Sequence, residues 1–151
     1  MTFDTVLPLW QSIGESFLKT IRALPEEDLE LKIEPSQTIG EMIWHTAEVE
    51  YMFADTYFGK PAPADVKARM ERRRAEGTAG YTSVEDLADF QEASYQHIIK
   101  AMRELPEEKW NVPVESKFGN HTPLVTVSRL MHHTGSHSGM IWLIQKSHRG
   151  K

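Results

Sequence analysis

The stretch Leu130-Met131-His132-His133-Thr134-Gly135-Ser136-His137-Ser138-Gly139-Met140-Ile141 carries His133 and His137 four residues apart. On an α-helix that spacing stacks two side chains on one face. The segment leading into it repeats an earlier one. Thr38-Ile39-Gly40-Glu41-Met42-Ile43-Trp44-His45 aligns with Thr126-Val127-Ser128-Arg129-Leu130-Met131-His132-His133. Upstream of each, Arg22-Ala23-Leu24-Pro25-Glu26-Glu27 recurs as Arg103-Glu104-Leu105-Pro106-Glu107-Glu108, with a longer spacer in the second copy. We read this as a duplicated helical hairpin. Two halves packed about a pseudo-twofold axis make His45 and His133 equivalent, and His137 adds a third imidazole one turn further on.

Four segments have the apolar spacing of helices. The first runs from about Phe3 to Leu24 and is stopped by Pro25. The second runs from about Thr38 to Phe58, capped by Ser36 or Thr38 and ended by Gly59 with Pro61 and Pro63. The third runs from about Ser83 to Leu105, capped by Thr82 or Ser83, with Glu85 and Asp86 favourable at its N-terminus and Pro106 beyond it. The fourth starts near Thr122 or Pro123 and reaches about Lys146, where the basic tail Lys146, His148, Arg149 and Lys151 suits a helix C-terminus. Strand alternation is scarce; only Leu29 to Ile33 and Trp110 to Glu115 look extended. The expected fold is therefore all-α, a four-helix bundle in a single domain of 151 residues. The charged linker between the second and third helices is long enough to run the length of the bundle. Such a crossover leaves those two helices parallel, giving up-down-down-up order.

Composition narrows the function. A net charge of -5 argues against a nucleic-acid surface, which needs clustered Lys and Arg. The one basic cluster, Arg69, Arg72, Arg73 and Arg74, is flanked by Glu71 and Glu76 and reads as a solvated face or linker. Cysteine is absent, which excludes a disulfide framework and a cysteine nucleophile and fits a cytoplasmic protein. The first residues do not form a signal peptide, and no apolar run approaches the roughly 20 residues that span a bilayer, so no membrane partner is expected. Phosphate-binding glycine loops, a His-Glu-x-x-His and a Gly-x-Ser-x-Gly elbow are missing.

At about 100° per residue, His133 and His137 share a face with Leu130, Met140, Ile141 and Ile144, while His132 points away. His45 lies beside Met42, Val49 and Met52, with Trp44 on another side. Three imidazoles on two helices suit one divalent metal ion with one or more open positions, as in catalytic zinc sites. Such an ion can activate a water or a thiol or polarise a carbonyl. Zinc suits the ligand set, as does nickel; iron and manganese are compatible with it. Glu48, one turn after His45, is the candidate general base, fourth ligand or hydrogen-bond acceptor, although its place toward the polar side also fits a surface carboxylate. Glu50, Tyr51 and Asp55 have weaker claims, and His97 and His121 lack a partner at ligand spacing. The opposing reading makes the three histidines hydrogen-bonded core residues with no metal.

The segments ending at His45 and running from His132 to Gly139 resemble the DinB/YfiT-like superfamily, and the likeness extends through helix number, spacing and length. The resemblance implies an up-down-down-up bundle, a three-histidine metal site formed here by His45, His133 and His137, and frequent homodimers. It also implies, for some members, metal-dependent transfer or isomerisation on small-molecule substrates with bacillithiol, mycothiol or glutathione. An S-transferase-like enzyme using a low-molecular-weight thiol is the leading expectation. A metal-dependent hydrolase with Glu48 as base and a non-catalytic metal- or ligand-binding stress protein are the alternatives. The chain departs from the family's His-x-Gly-Gln ending by having Met140, which cannot supply an amide's hydrogen bonds.

Overall fold

The computed structural model describes residues 1–149, so Lys151 of the basic tail lies outside the described residues. Its elements in order are α1 (Thr2–Arg22), a 3-10 turn (Glu26–Glu30), α2 (Ile39–Phe58), α3 (Ala64–Glu76), α4 (Val84–Glu104), a second 3-10 turn (Glu107–Lys109) and α5 (Pro123–Arg149). Strands are reduced to a single bridge, Val114 with His121, among the described residues. The sequence places the helix ends well because each has a chemical cause. Thr38 Oγ1 accepts from Glu41 N at 3.1 Å and Ser83 Oγ from Asp86 N at 3.0 Å, caps of about 1 kcal/mol each. Gly59, at φ 68°, ends α2 with its own N–H on Asp55 O and that of Lys60 on Ala54 O, a turn that only glycine enters freely.

Side-chain pairs fix the directions of the long helices. Arg22 at the end of α1 meets Asp89 and Glu92 near the start of α4, while Thr2 meets Glu107 beyond the end of α4. These two helices are antiparallel. Trp44 stacks on Phe90, Glu50 meets Ser94, and Lys60 reaches Glu104, so α2 and α4 run parallel. Asp28, just after α1, takes hydrogen bonds from Gln145 and Arg149 at the end of α5, so α1 and α5 also run parallel. The order is up-down-down-up, with α1 and α2 diagonal across a ring closed by α4 and α5.

The repeated Leu-Pro-Glu-Glu has a structural meaning that its sequence does not disclose. Pro25 and Pro106 take the same backbone angles, φ -64° and ψ 143° against φ -57° and ψ 142°, and each opens a 3-10 turn. The glutamate after each proline then caps the other hairpin. Glu26 Oε1 accepts from Val84 N, the first residue of α4, at 2.9 Å. Glu107 accepts from Thr2 N, the first residue of α1, at 3.2 Å. Each places a carboxylate on the positive end of a helix dipole. Glu26→Ala and Glu107→Ala are each expected to cost about 1 kcal/mol, and to add in the double variant because the sites lie at opposite ends of the bundle. Thermal unfolding of the four proteins checks this, at about 2–4 °C per kcal/mol for a chain of this size; no loss in either single variant removes the capping role.

The crossover departs from expectation. The sequence pattern leads to a charged linker there, yet α3 forms, led in by Pro63 and ended by Gly77 at φ 66°. Its only buried residue is Met70, so apolar periodicity cannot reveal it. Met70 and Val66 reach the core, and the remaining contacts that dock it are cationic. Arg69 and Arg73 lie over the Trp44 ring at 5.3 and 5.2 Å, and Arg69 also bonds Gly80 O and Asp86. Two of the four arginines expected on a solvated face or linker therefore cover a buried tryptophan; Arg72 and Arg74 stay exposed. Gly80 lies so close to that ring that a Cβ there would clash with it. The covering by α3 also explains why Trp44 is fully buried whereas its repeat partner His132 is exposed. No described helix covers the equivalent side of α5, where Val125, Trp142 and Leu143 stand exposed. No described helix is long and apolar enough to cross a membrane.

Candidate metal centre

His45 sits two turns into α2, and His133 and His137 sit midway along the antiparallel α5, so the two helices bring the three rings to one seam. The rings meet edge to face. Centroids are 5.0 Å apart for His45 and His133, 5.8 Å for His45 and His137, and 4.5 Å for His133 and His137, with interplanar angles of 71°, 83° and 84°. One nitrogen from each ring lies within 4.8 Å of the other two. The Nε2 atoms of His133 and His137 are 3.2 Å apart, close to the roughly 3.3–3.4 Å that two nitrogens keep around a tetrahedral ion with bonds of about 2.0–2.1 Å.

The rings are half-buried, and the surroundings of His133 and His137 favour their neutral forms. Burial and the neighbouring rings of His137 and His45 push His133 down to about 4, and burial with His45 lowers His137. Neutral imidazole is the form with a free lone pair. Hydrogen bonding satisfies little of the cluster. His133 and His137 can share one proton between their Nε2 atoms, His137 Nδ1 is buried without a partner, and His45 makes no hydrogen bond among the described residues. Three converging nitrogens with at most one hydrogen bond among them are poorly explained as ordinary core histidines. The donor set therefore fits a divalent ion.

The other residues singled out in the sequence separate clearly. Glu48 is mostly covered, with 13% of its side chain exposed, and lies 3.8 Å from Arg74; its carboxylate does not join the three nitrogens. Tyr51 is buried against Phe90 and His97, and His97 bonds Lys60 O at 3.1 Å. His121 serves the bridge to Val114. Met140, expected on the inward face, is instead 39% exposed and lines an apolar groove with Ile33, Pro35 and Leu143. After His137 the buried seam of α5 continues through Ile141 and Ile144, and Met140 lies to one side of it. Glu50, like Asp28, is a carboxylate whose burial the sequence does not signal; it is 1% exposed.

A family model described as the DinB superfamily matches residues 10–141. The chain belongs to the DinB superfamily. A DinB-like protein from Bacillus cereus ATCC 10987 superposes with a TM-score of 0.74 at 19% identity, covering 95% of this chain and 91% of its own. A variant of a mycothiol-dependent maleylpyruvate isomerase superposes with a TM-score of 0.64 at 15% identity over 92% of this chain. The chain spans only 60% of that isomerase's length. No curated protein sequence matches significantly.

In this DinB superfamily chain two clefts adjoin the histidines, each with a different one in its wall. One, of about 590 Å³, is lined by Val49, Phe53, Arg129, His132 and His133. The other, of about 450 Å³, is lined by His45, Glu48, Asp55, Arg74, Lys117 and Phe118 among others. Arg74 comes from the unforeseen α3. The Pro63 lead and Gly77 stop around that helix are the sequence signals that could have found it.

Proposed function

We propose that this protein is a divalent-metal-dependent enzyme in which His45, His133 and His137 hold the ion and a low-molecular-weight thiol is activated for transfer to a small electrophile. The carrying observation is three converging imidazoles with two separate clefts beside them. A reaction with two substrates uses two clefts, one for each partner. An ion held there would supply the positive charge that favours a thiolate over a thiol near neutral pH. Zinc and nickel suit three imidazoles. The protein's own residues do the rest. The helices hold the three rings before any ligand arrives, so little reorganisation is needed. Glu48, one turn after His45 and 3.8 Å from Arg74, would take the thiol proton. Val49 and Phe53 give the larger cleft an apolar wall for the electrophile, and Arg129 offers it a cation. The shared fold of a mycothiol-dependent isomerase agrees with thiol chemistry.

Glu48 also suits a hydrolase, in which it would deprotonate water, so the deciding test is the thiol requirement. Zinc- and nickel-loaded protein is assayed against a panel of small electrophiles with and without glutathione, L-cysteine, bacillithiol or mycothiol. Turnover is expected only with a thiol, and Glu48→Gln is expected to lower it about 100-fold or more. Metal-dependent turnover without any thiol establishes the hydrolase instead.

A further inference from the structure

The cleft that holds His45 is also lined by two charged residues without ion-pair partners among the described residues, Asp55 and Lys117. Asp55 lies ten residues beyond His45 on α2, about 15 Å along the helix axis. It stands in the last turn of α2, where the negative end of the helix dipole disfavours an anion and where no basic residue compensates. No described cation pairs with its carboxylate. Lys117 faces the same cleft and has no described carboxylate partner either. Its turn is held in place: Tyr57 Oη donates to Gly119 O at 2.9 Å, Val114 and His121 form the bridge behind it, and the Lys117 ammonium rests 5.2 Å over the Phe118 ring. Asp55 and Lys117, neither with an ion-pair partner among the described residues, thus line a cleft that also holds a histidine of the metal centre, while the cleft's other cation, Arg74, lies 3.8 Å from Glu48.

We infer that Asp55 and Lys117 form a subsite for a zwitterionic α-amino-acid group, Asp55 taking the ammonium and Lys117 the carboxylate. Resting on the thiol reading above, this assigns the thiol's class. It carries an amino-acid end well removed from its sulfur, as a γ-glutamyl peptide thiol does. A thiol built on an uncharged sugar leaves both charges unmet. Asp55, unfavourable for the helix that bears it, is then retained for binding.

The test uses S-methylglutathione, whose blocked sulfur separates the subsite from thiolate chemistry, with calorimetry on the metal-loaded protein. Two analogues lack one charge each: the glutaryl analogue has no ammonium, and the 4-aminobutyryl analogue has no α-carboxylate. Each is expected to bind about tenfold or more weakly than S-methylglutathione, the worth of one charge-assisted contact. Asp55→Asn should weaken S-methylglutathione by a similar factor while leaving the glutaryl analogue unchanged. Lys117→Gln should do the converse with the 4-aminobutyryl analogue. Asp55→Asn should also raise the melting temperature of the free protein by about 1–3 °C, since it relieves the helix end. Equal affinities for the three ligands, or no binding, overturn the subsite. Metal content measured on the same samples keeps the two readings apart. Metal without binding sinks the subsite alone, and protein that takes up no metal sinks the metal reading whatever the ligands do.

Discussion

Protein incubated with zinc and dialysed is expected to retain about one ion per chain by elemental analysis, and His133→Ala to retain almost none. His133 is the central member of the trio: its ring is nearest both others, at 5.0 and 4.5 Å, and His45 and His137 are farther apart, at 5.8 Å. Removing it leaves two imidazoles on different helices and no third ligand. Loss of a partner behind a ligand already costs about 10–100-fold in affinity, so loss of a ligand itself should exceed 100-fold. The fold should survive, because the ring is only half-buried and makes a single hydrogen bond. Thermal melts supply an independent reading. Zinc at about a hundred times its dissociation constant adds about 2.7 kcal/mol to the wild type, a rise of roughly 5–10 °C. The variant should show no rise. Equal metal content in a folded variant and the wild type removes His133 from the centre; metal in neither makes the three residues core histidines.

Helix ends and the pairing of the histidines were legible because they rest on local chemistry. Pro25 and Pro106 stop helices, Thr38 and Ser83 cap them, and the repeat register alone aligns His45 with His133 across two helices far apart in sequence. Three features were not legible, for physical reasons. The helix α3 hides because its apolar contact is reduced to Met70 and Val66 and the rest of its docking is arginine on tryptophan, and the sequence reading weighs Arg69 and Arg73 only as charges. Met140 is misplaced because α5 bears apolar side chains on several sides; Ile141 is buried while its neighbours Met140 and Trp142 are exposed, and a wheel cannot rank them. Glu50 escapes because a charged residue one position from the apolar side normally faces water, and only the packing of α4 on α2 shows that this one does not.

That burial makes Glu50 a pH lever on the fold. Its carboxylate accepts from Gln91 Nε2 at 3.0 and 3.1 Å and from Ser94 Oγ at 2.6 Å, with no cation in contact. Burial pushes it up to about 8, against the smaller opposing effect of those hydrogen bonds. The folded chain therefore holds a proton on Glu50 across a range where the unfolded chain has released it, above about pH 4.5. Protons bound by the folded state alone mean that stability falls as pH rises. The contribution is full below about pH 4.5, declines through the interval and levels off above about pH 8. At about 1.4 kcal/mol per unit, the loss across that interval is a few kcal/mol. Glu50→Gln removes the titration and keeps the shape. Its amide can pair with Gln91 once the Gln91 amide turns over, because Gln91 Oε1 has no partner in the present orientation and that orientation is interchangeable by a simple flip. The variant should match the wild type near pH 5 and melt several degrees higher at pH 8.5, with the difference growing steadily between. Melting curves at half-unit steps test this. A constant difference across the range would mean that Glu50 is already ionised in the folded protein, held by Gln91 and Ser94, and that the α2–α4 interface tolerates a buried charge.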